Sequence, residues 1–230
     1  MESIYGIFCR VSGLVQPSDL EITMNSLDVL LQAKPVMPVM VIDHIDQATP
    51  LASALHKGGI NVFEITLRSE CALDAITLIK KELPNCLVGA GTVLNPEQLK
   101  QAIEAGSDFA LSPGLTAGLL EFAGKTEMPF IPGVASPGDV MLALSYGINA
   151  MKLFPATQLG GEGMLKALYG PFPEVMFCPT GGISADNYRS FLSLPNVACV
   201  GASWIAPAAL AREEKWDEIT FLAKAAVDNA

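Results

Sequence analysis

The chain has 230 residues, half of them hydrophobic, which suits one large domain and is an ordinary length for an α/β barrel. Its formal net charge of −10 makes it a poor partner for polyanions, so general nucleic-acid binding is excluded while a local cationic pocket is not. The five cysteines (Cys9, Cys71, Cys86, Cys178, Cys199) include no Cys-x-x-Cys pair and read as free thiols of a reducing compartment; the two histidines, His44 and His56, fit no metal-ligand pattern, so no metal and no cofactor are expected. No apolar run approaches the length that crosses a bilayer, and Met1–Leu20 lacks a basic start before an apolar core. The expectation is a cytoplasmic protein without signal peptide or membrane contact.

In chain order, Met1–Gln16 is mildly apolar and without period, an N-terminal extension (1–16) whose role is not legible. Residues 17–230 read as one domain. Pro17-Ser18-Asp19 looks like a helix start, and Leu20, Met24, Leu27, Leu30 and Leu31 follow at helical spacing, a helix suited to capping one end of a barrel. From Lys34 an alternation takes over. Strand-like runs at Val36–Ile42, Asn61–Leu67, Leu87–Ala90, Phe109–Leu111, Phe130–Ile131, Ala150–Phe154, Val175–Cys178 and Val197–Val200 are each followed by a helical stretch. The last of these stretches, Ala206–Asp228, is expected to be mostly helical. These eight units imply an α/β fold closed as a (β/α)8 TIM barrel with an N-terminal capping helix. The strands are continuous apolar runs, as expected of strands buried on both faces. A doubly wound open sheet is the competitor, weakened by the lack of Gly-x-Gly-x-x-Gly after the first strand.

In such a barrel the chemistry sits at the C-terminal ends of the strands. There the sequence has Glu64-Ile65-Thr66-Leu67-Arg68, Gly89-Ala90-Gly91-Thr92, Ser112-Pro113-Gly114, Ile131-Pro132-Gly133, Lys152, Pro179-Thr180-Gly181-Gly182-Ile183 and Gly201-Ala202-Ser203-Trp204. Lys152 lies in an apolar strand, where an ammonium is costly and a neutral, nucleophilic amine is favoured. A carboxyl such as Glu64 can move protons for an amine nucleophile, and Arg68 offers a planar fork for a carboxylate. A buried Glu–Lys or Glu–Arg salt bridge is the plain rival for these three. The glycine turns after the last two strands suit a phosphate, and turn geometry alone is their rival reading. Trp204 and Trp216 read as packing residues, His44 as a polar surface residue, and Glu213-Glu214-Lys215 as a solvated helix face.

Six motifs in order, Glu64–Arg68, Gly89–Leu94, Ser112–Gly114, Ile131–Gly133, Lys152–Ala156 and Cys178–Ile183, resemble those of the bacterial 2-keto-3-deoxy-6-phosphogluconate (KDPG) / 4-hydroxy-2-oxoglutarate (KHG) aldolase family, from about Lys34 to the C-terminus. The resemblance implies a metal-free class I aldolase acting on a small keto acid in the Entner-Doudoroff pathway, assembled as a homotrimer. It puts the Schiff-base lysine on Lys152 and the acid/base glutamate on Glu64. It puts the pyruvyl carboxylate on Arg68, the pyruvate pocket on Thr92, Pro113 and Phe154, and the sugar-phosphate side on Thr180, Gly181, Gly182 and Ser203. The aldolase for the galactonate epimer is an alternative, against which the Thr180 hydroxyl favours the gluconate enzyme. A phosphosugar-binding barrel, or an isomerase using Glu64 as base, is the alternative from another class. Where the family often has Gly-Gly-Ser-Trp this chain has Gly201-Ala202-Ser203-Trp204, which adds a methyl where a phosphate contact is expected.

Overall fold

The computed structural model describes residues 24–230. Its first helix, α1 (Ser26–Gln32), starts at a capping box: the Asn25 side-chain oxygen accepts from the N–H groups of Leu27 and Asp28, and the Asp28 carboxylate accepts from Asn25 N–H. The expected helix start at Pro17-Ser18-Asp19 lies outside the described residues; Met24 precedes the cap, so within them the helix begins at Ser26. Val29 and Leu30 face inward with no exposed surface and cluster with Met37, Val62, Phe109 and Ile131. That cluster is the floor of a barrel, which α1 closes from below.

The strands are β1 (Val36–Met40), β2 (Val62–Thr66), β3 (Leu87–Gly91), β4 (Phe109–Leu111), β5 (Phe130–Ile131), β6 (Gly133–Val134), β7 (Ala150–Leu153), β8 (Met176–Pro179) and β9 (Val200–Ala202). All pair in parallel, in the orders β5-β4-β3-β2-β1-β9 and β6-β7-β8. The pairing of Val36 with Val200 joins the last strand to the first, which rules out the open sheet. Two seams complete the ring. The fifth strand position is split at Pro132, which has no N–H to give, but its carbonyl accepts from Lys152 N–H at 2.9 Å. Between β8 and β9, a bridge from Phe177 to Val197 carries the closure, with Phe177 N–H donating to Asn196.

Among the described residues, nine α-helices follow the strands: α2 (Ala48–Lys57), α3 (Ala72–Glu82), α4 (Pro96–Glu104), α5 (Ala117–Ala123), α6 (Pro137–Ser145), α7 (Glu162–Tyr169), α8 (Tyr188–Leu192), α9 (Ala208–Arg212) and α10 (Trp216–Asp228). Asn95, Thr116 and Ser136 cap α4, α5 and α6 with side-chain oxygens, and Pro96 and Pro137 take first-turn positions that need no N–H. Alternation along each strand sorts the side chains. On β2, Phe63 and Ile65 join the shell between strands and helices, whereas Val62 joins the barrel interior. Each such fully buried large apolar side chain contributes about 1.5–3 kcal/mol.

One helical expectation changes. The stretch Ala206–Asp228 breaks at Glu213–Lys215, where Glu214 takes a left-handed φ of 53°, so these charged residues form a turn between α9 and α10 and not a helix face. After β8, Ser184–Asn187 is a turn before the short α8: Asn187 accepts from Ser184 N–H and donates to the Gly182 carbonyl. The asparagine thereby holds the glycine loop from below.

Candidate active site

Lys152 is the third residue of β7, flanked in register by Gly133 of β6 and Cys178 of β8. Met151 and Leu153 pack outward into the helical shell, so alternation sends the lysine inward. Its residue is 5 % exposed and Glu64, inward on β2, is 1 % exposed. Across the barrel the Lys152 Nζ donates to both Glu64 carboxylate oxygens, at 2.9 and 3.2 Å. The pair therefore satisfies itself where either charge alone would be costly to bury. The Phe154 ring lies 5.6 Å from Nζ, a further contact for a cation.

Glycine on β3 makes room for this carboxylate. A Cβ at Gly91 would overlap the Glu64 side chain. On β6, a Cβ at Gly133 would likewise overlap the backbone of Pro113, which ends the β4 unit. Thr92, next after β3, has a left-handed φ of 61°, a conformation that a β-branched residue adopts only under constraint from its surroundings. Thr92 and Pro113 are half-buried at the same rim. Arg68, two residues beyond β2, is exposed, and its Nε donates to the Thr66 hydroxyl at 3.2 Å. Among the described residues no carboxylate forms an ion pair with Arg68.

Thr180, buried directly after β8, stands beside Gly201 of β9, where a Cβ would overlap its side chain. Gly181 and Gly182 both take left-handed φ, 98° and 75°, and the Thr157 side chain occupies the space a Cβ at Gly182 would need. Among the described residues neither glycine N–H donates to a backbone carbonyl, which leaves both for an anion. Ser203 is exposed just past β9. Ala202 does not crowd this side: it has no exposed surface and belongs to the shell between strands and helices, so its methyl points away from the barrel axis. The inward residue of β9 is Gly201.

The sequence-predicted residues thus fall on one rim, with Glu64 and Lys152 in contact, Arg68, Thr92, Pro113 and Phe154 just past the ends of the strands around them, and Thr180–Gly182 and Ser203 on the adjoining arc. The sequence reading passed over Thr66 and Thr157. Thr66 is signalled by its place two residues after Glu64, on the same strand face. Thr157 has no sequence signal, since its role follows from the approach of a loop 24 residues away. Trp204 packs on Tyr188 with ring centroids 5.6 Å apart, and His44 is exposed at the start of a 3-10 turn. Beneath the ion pair lie Cys178 and Cys199, both buried. A hydrogen bond donated to Cys178, then burial, then the nearby Cys178 and Glu64 charges push the Cys199 thiol well above its ordinary range. Among the described residues no group of three or more His, Cys, Asp or Glu side chains is arranged to hold a metal ion, and no helix is long and apolar enough to cross a membrane.

Comparison with known proteins agrees with this geometry. Residues 27–222 match the family model for KDPG and KHG aldolase. The KHG/KDPG aldolase of Escherichia coli (strain K12) is 49 % identical over 206 residues, covering 90 % of this chain and 97 % of that protein. A crystal structure of KDPG aldolase from Legionella pneumophila, with pyruvate captured as a covalent carbinolamine intermediate, superposes with a TM-score of 0.86 at 48 % identity, covering 88 % of this chain and 98 % of that one. The 2-keto-3-deoxy-6-phosphogluconate aldolase of Zymomonas mobilis ZM4, solved with 3-phosphoglycerate, gives 0.83 at 48 % identity, with 87 % and 94 % covered. With the match extending over nearly the whole barrel, and a buried lysine and glutamate meeting at its rim, this chain belongs to the KDPG and KHG aldolase family.

Proposed function

We propose that this chain is a class I aldolase that cleaves 2-dehydro-3-deoxy-6-phosphogluconate to pyruvate and glyceraldehyde 3-phosphate, and 4-hydroxy-2-oxoglutarate to pyruvate and glyoxylate, through an imine on Lys152. The observation that carries the reading is the 2.9 Å contact between the buried Lys152 Nζ and Glu64 Oε1. A proton passed along that hydrogen bond leaves a neutral amine facing a carboxylic acid. The amine attacks the C2 ketone, and Glu64 protonates the oxygen as the carbinolamine forms. Glu64 then takes a proton from nitrogen and returns it to the departing hydroxyl, which leaves as water. The resulting iminium is an electron sink. Glu64, again a carboxylate, accepts the C4 hydroxyl proton; the C3–C4 bond breaks, the aldehyde leaves and an enamine remains. Glu64 returns the proton to C3, and water hydrolyses the imine to release pyruvate and the free amine.

Arg68 binds the substrate carboxylate through its planar fork, while Thr92, Pro113 and Phe154 line the pyruvyl pocket. Thr180, the N–H groups of Gly181 and Gly182, and Ser203 hold the phosphate. The inward Gly201 and outward Ala202 support this, since they leave the phosphate side open. A homotrimer and a cytoplasmic location belong to the same reading, the location supported by free Cys71, Cys86, Cys178 and Cys199.

Borohydride added with pyruvate is expected to inactivate the enzyme and leave one reduced pyruvyl adduct on Lys152, read by peptide mass spectrometry. Undiminished trapping in Lys152→Ala would overturn the assignment. Given both phosphorylated epimers, the enzyme is expected to cleave the gluconate at the higher kcat/KM, because the Thr180 hydroxyl faces the sugar chain. A preference for the galactonate would reassign the substrate and leave the imine chemistry standing.

A further inference from the structure

We propose that Thr66 is a positioning residue that presents the terminal fork of Arg68 to the substrate carboxylate. The proposal rests on the assignment of Arg68 to that carboxylate. Thr66 is 1 % exposed, at the inward end of β2. Its hydroxyl donates to the Met40 carbonyl of β1 at 2.8 Å and accepts from Arg68 Nε at 3.2 Å. A hydroxyl has a single proton. With that proton directed to Met40, only lone pairs face Arg68, so Thr66 acts there as a fixed acceptor. The Thr66 carbonyl accepts from Arg68 N–H at 2.8 Å, which ties the arginine backbone to the same residue.

A guanidinium can meet a carboxylate side-on, through Nε and one terminal nitrogen, or end-on, through both terminal nitrogens. Thr66 occupies Nε and leaves the end-on fork. Arg68 is otherwise exposed and without an acid partner among the described residues, so this one bond orients a long, mobile side chain before substrate arrives. The strand pair β1–β2, through the Met40 carbonyl, thereby sets the angle at which the carboxylate is met.

The test measures the pyruvate concentration that half-saturates borohydride trapping. Thr66→Val and Thr66→Ala are expected to raise it about tenfold, the scale of one hydrogen bond to a charged group, with the trapping rate at saturating pyruvate changed less than about twofold. Thr66→Ser, which keeps the hydroxyl, restores the wild-type value. Trapping of hydroxyacetone, a ketone without a carboxylate, is unaffected. In an Arg68→Ala background Thr66→Val adds nothing further. An unchanged half-saturation in both hydroxyl-free variants, an equal loss with hydroxyacetone, or a full additional loss in the Arg68→Ala background would each overturn the proposal. If Arg68→Ala itself leaves pyruvate half-saturation unchanged, the Arg68 assignment falls and the Thr66 role with it.

Discussion

One missing methyl group on β3 sets how much space the Glu64 carboxylate has. Gly91 has ordinary negative φ, so its identity is not a matter of backbone freedom; its Cβ position is filled by Glu64. Residue for residue, the site is thus a buried acid and a buried base held in contact by what their neighbours lack. Gly91→Ala is expected to push Glu64 off Lys152 at a cost of about 1–3 kcal/mol in overpacking, and to lower kcat more than tenfold in a protein that still folds. Steady-state rates and thermal melting together check this. Gly118→Ala is the control: nothing lies within 4 Å of its Cβ position on α5, and alanine there is expected to leave kcat unchanged and raise stability slightly. Equal losses in the two variants would mean that Gly91 has no special relation to the acid.

At the level of elements, the barrel was legible because each strand is a short apolar run ended by glycine or proline, a pattern that survives whatever packs on it. Lys152 and Glu64 were legible for the complementary reason, as charges inside such runs. Their pairing was one of the readings the residues allowed; its two-oxygen geometry was not legible, since it spans 88 residues and exists only because the ring closes. The split of the fifth strand at Pro132 follows from a missing N–H, but a sequence does not say whether the flanking residues keep their ladder; here Lys152 supplies the donor. The break between α9 and α10 was hidden because Glu213-Glu214-Lys215 suits an exposed helix as well as a turn, and the left-handed Glu214 is a product of the docking of two helices. The strained Thr92 and the outward methyl of Ala202 are likewise consequences of register. A one-residue shift on β9 would have turned Ala202 toward the barrel axis and Gly201 into the shell.

Taken as a whole, the molecule is an acidic body with net charge −10, so under the proposed function the attraction for a substrate with a carboxylate and a phosphate is local: Arg68, Lys152 and the N–H groups of Gly181 and Gly182 on one rim. Directly beneath that rim the barrel interior contains thiols in place of a larger apolar plug, and this has a consequence for global stability. Cys199 is fully buried, and its hydrogen bond with Cys178, its burial and the nearby Cys178 and Glu64 charges all favour the protonated thiol. Cys86, at the foot of β3, is also pushed up, by burial first and against the pull of Lys80. For such groups the folded pKa lies above the unfolded one. Below the unfolded value, near 9.0, both states hold the proton and the stabilisation is complete. As pH rises past it the unfolded thiols ionise while the native ones resist, the unfolded state binds fewer protons, and folding stability falls until the native thiols ionise too. The urea midpoint of the wild-type barrel is therefore expected to drop between pH 8 and pH 10. In Cys199→Ala the starting midpoint is lower, because a packed side chain is lost, but the drop across the same interval is smaller, because the buried proton is gone. Parallel pH curves for the two proteins would show that the thiols under the active site are not what limits the barrel in alkali.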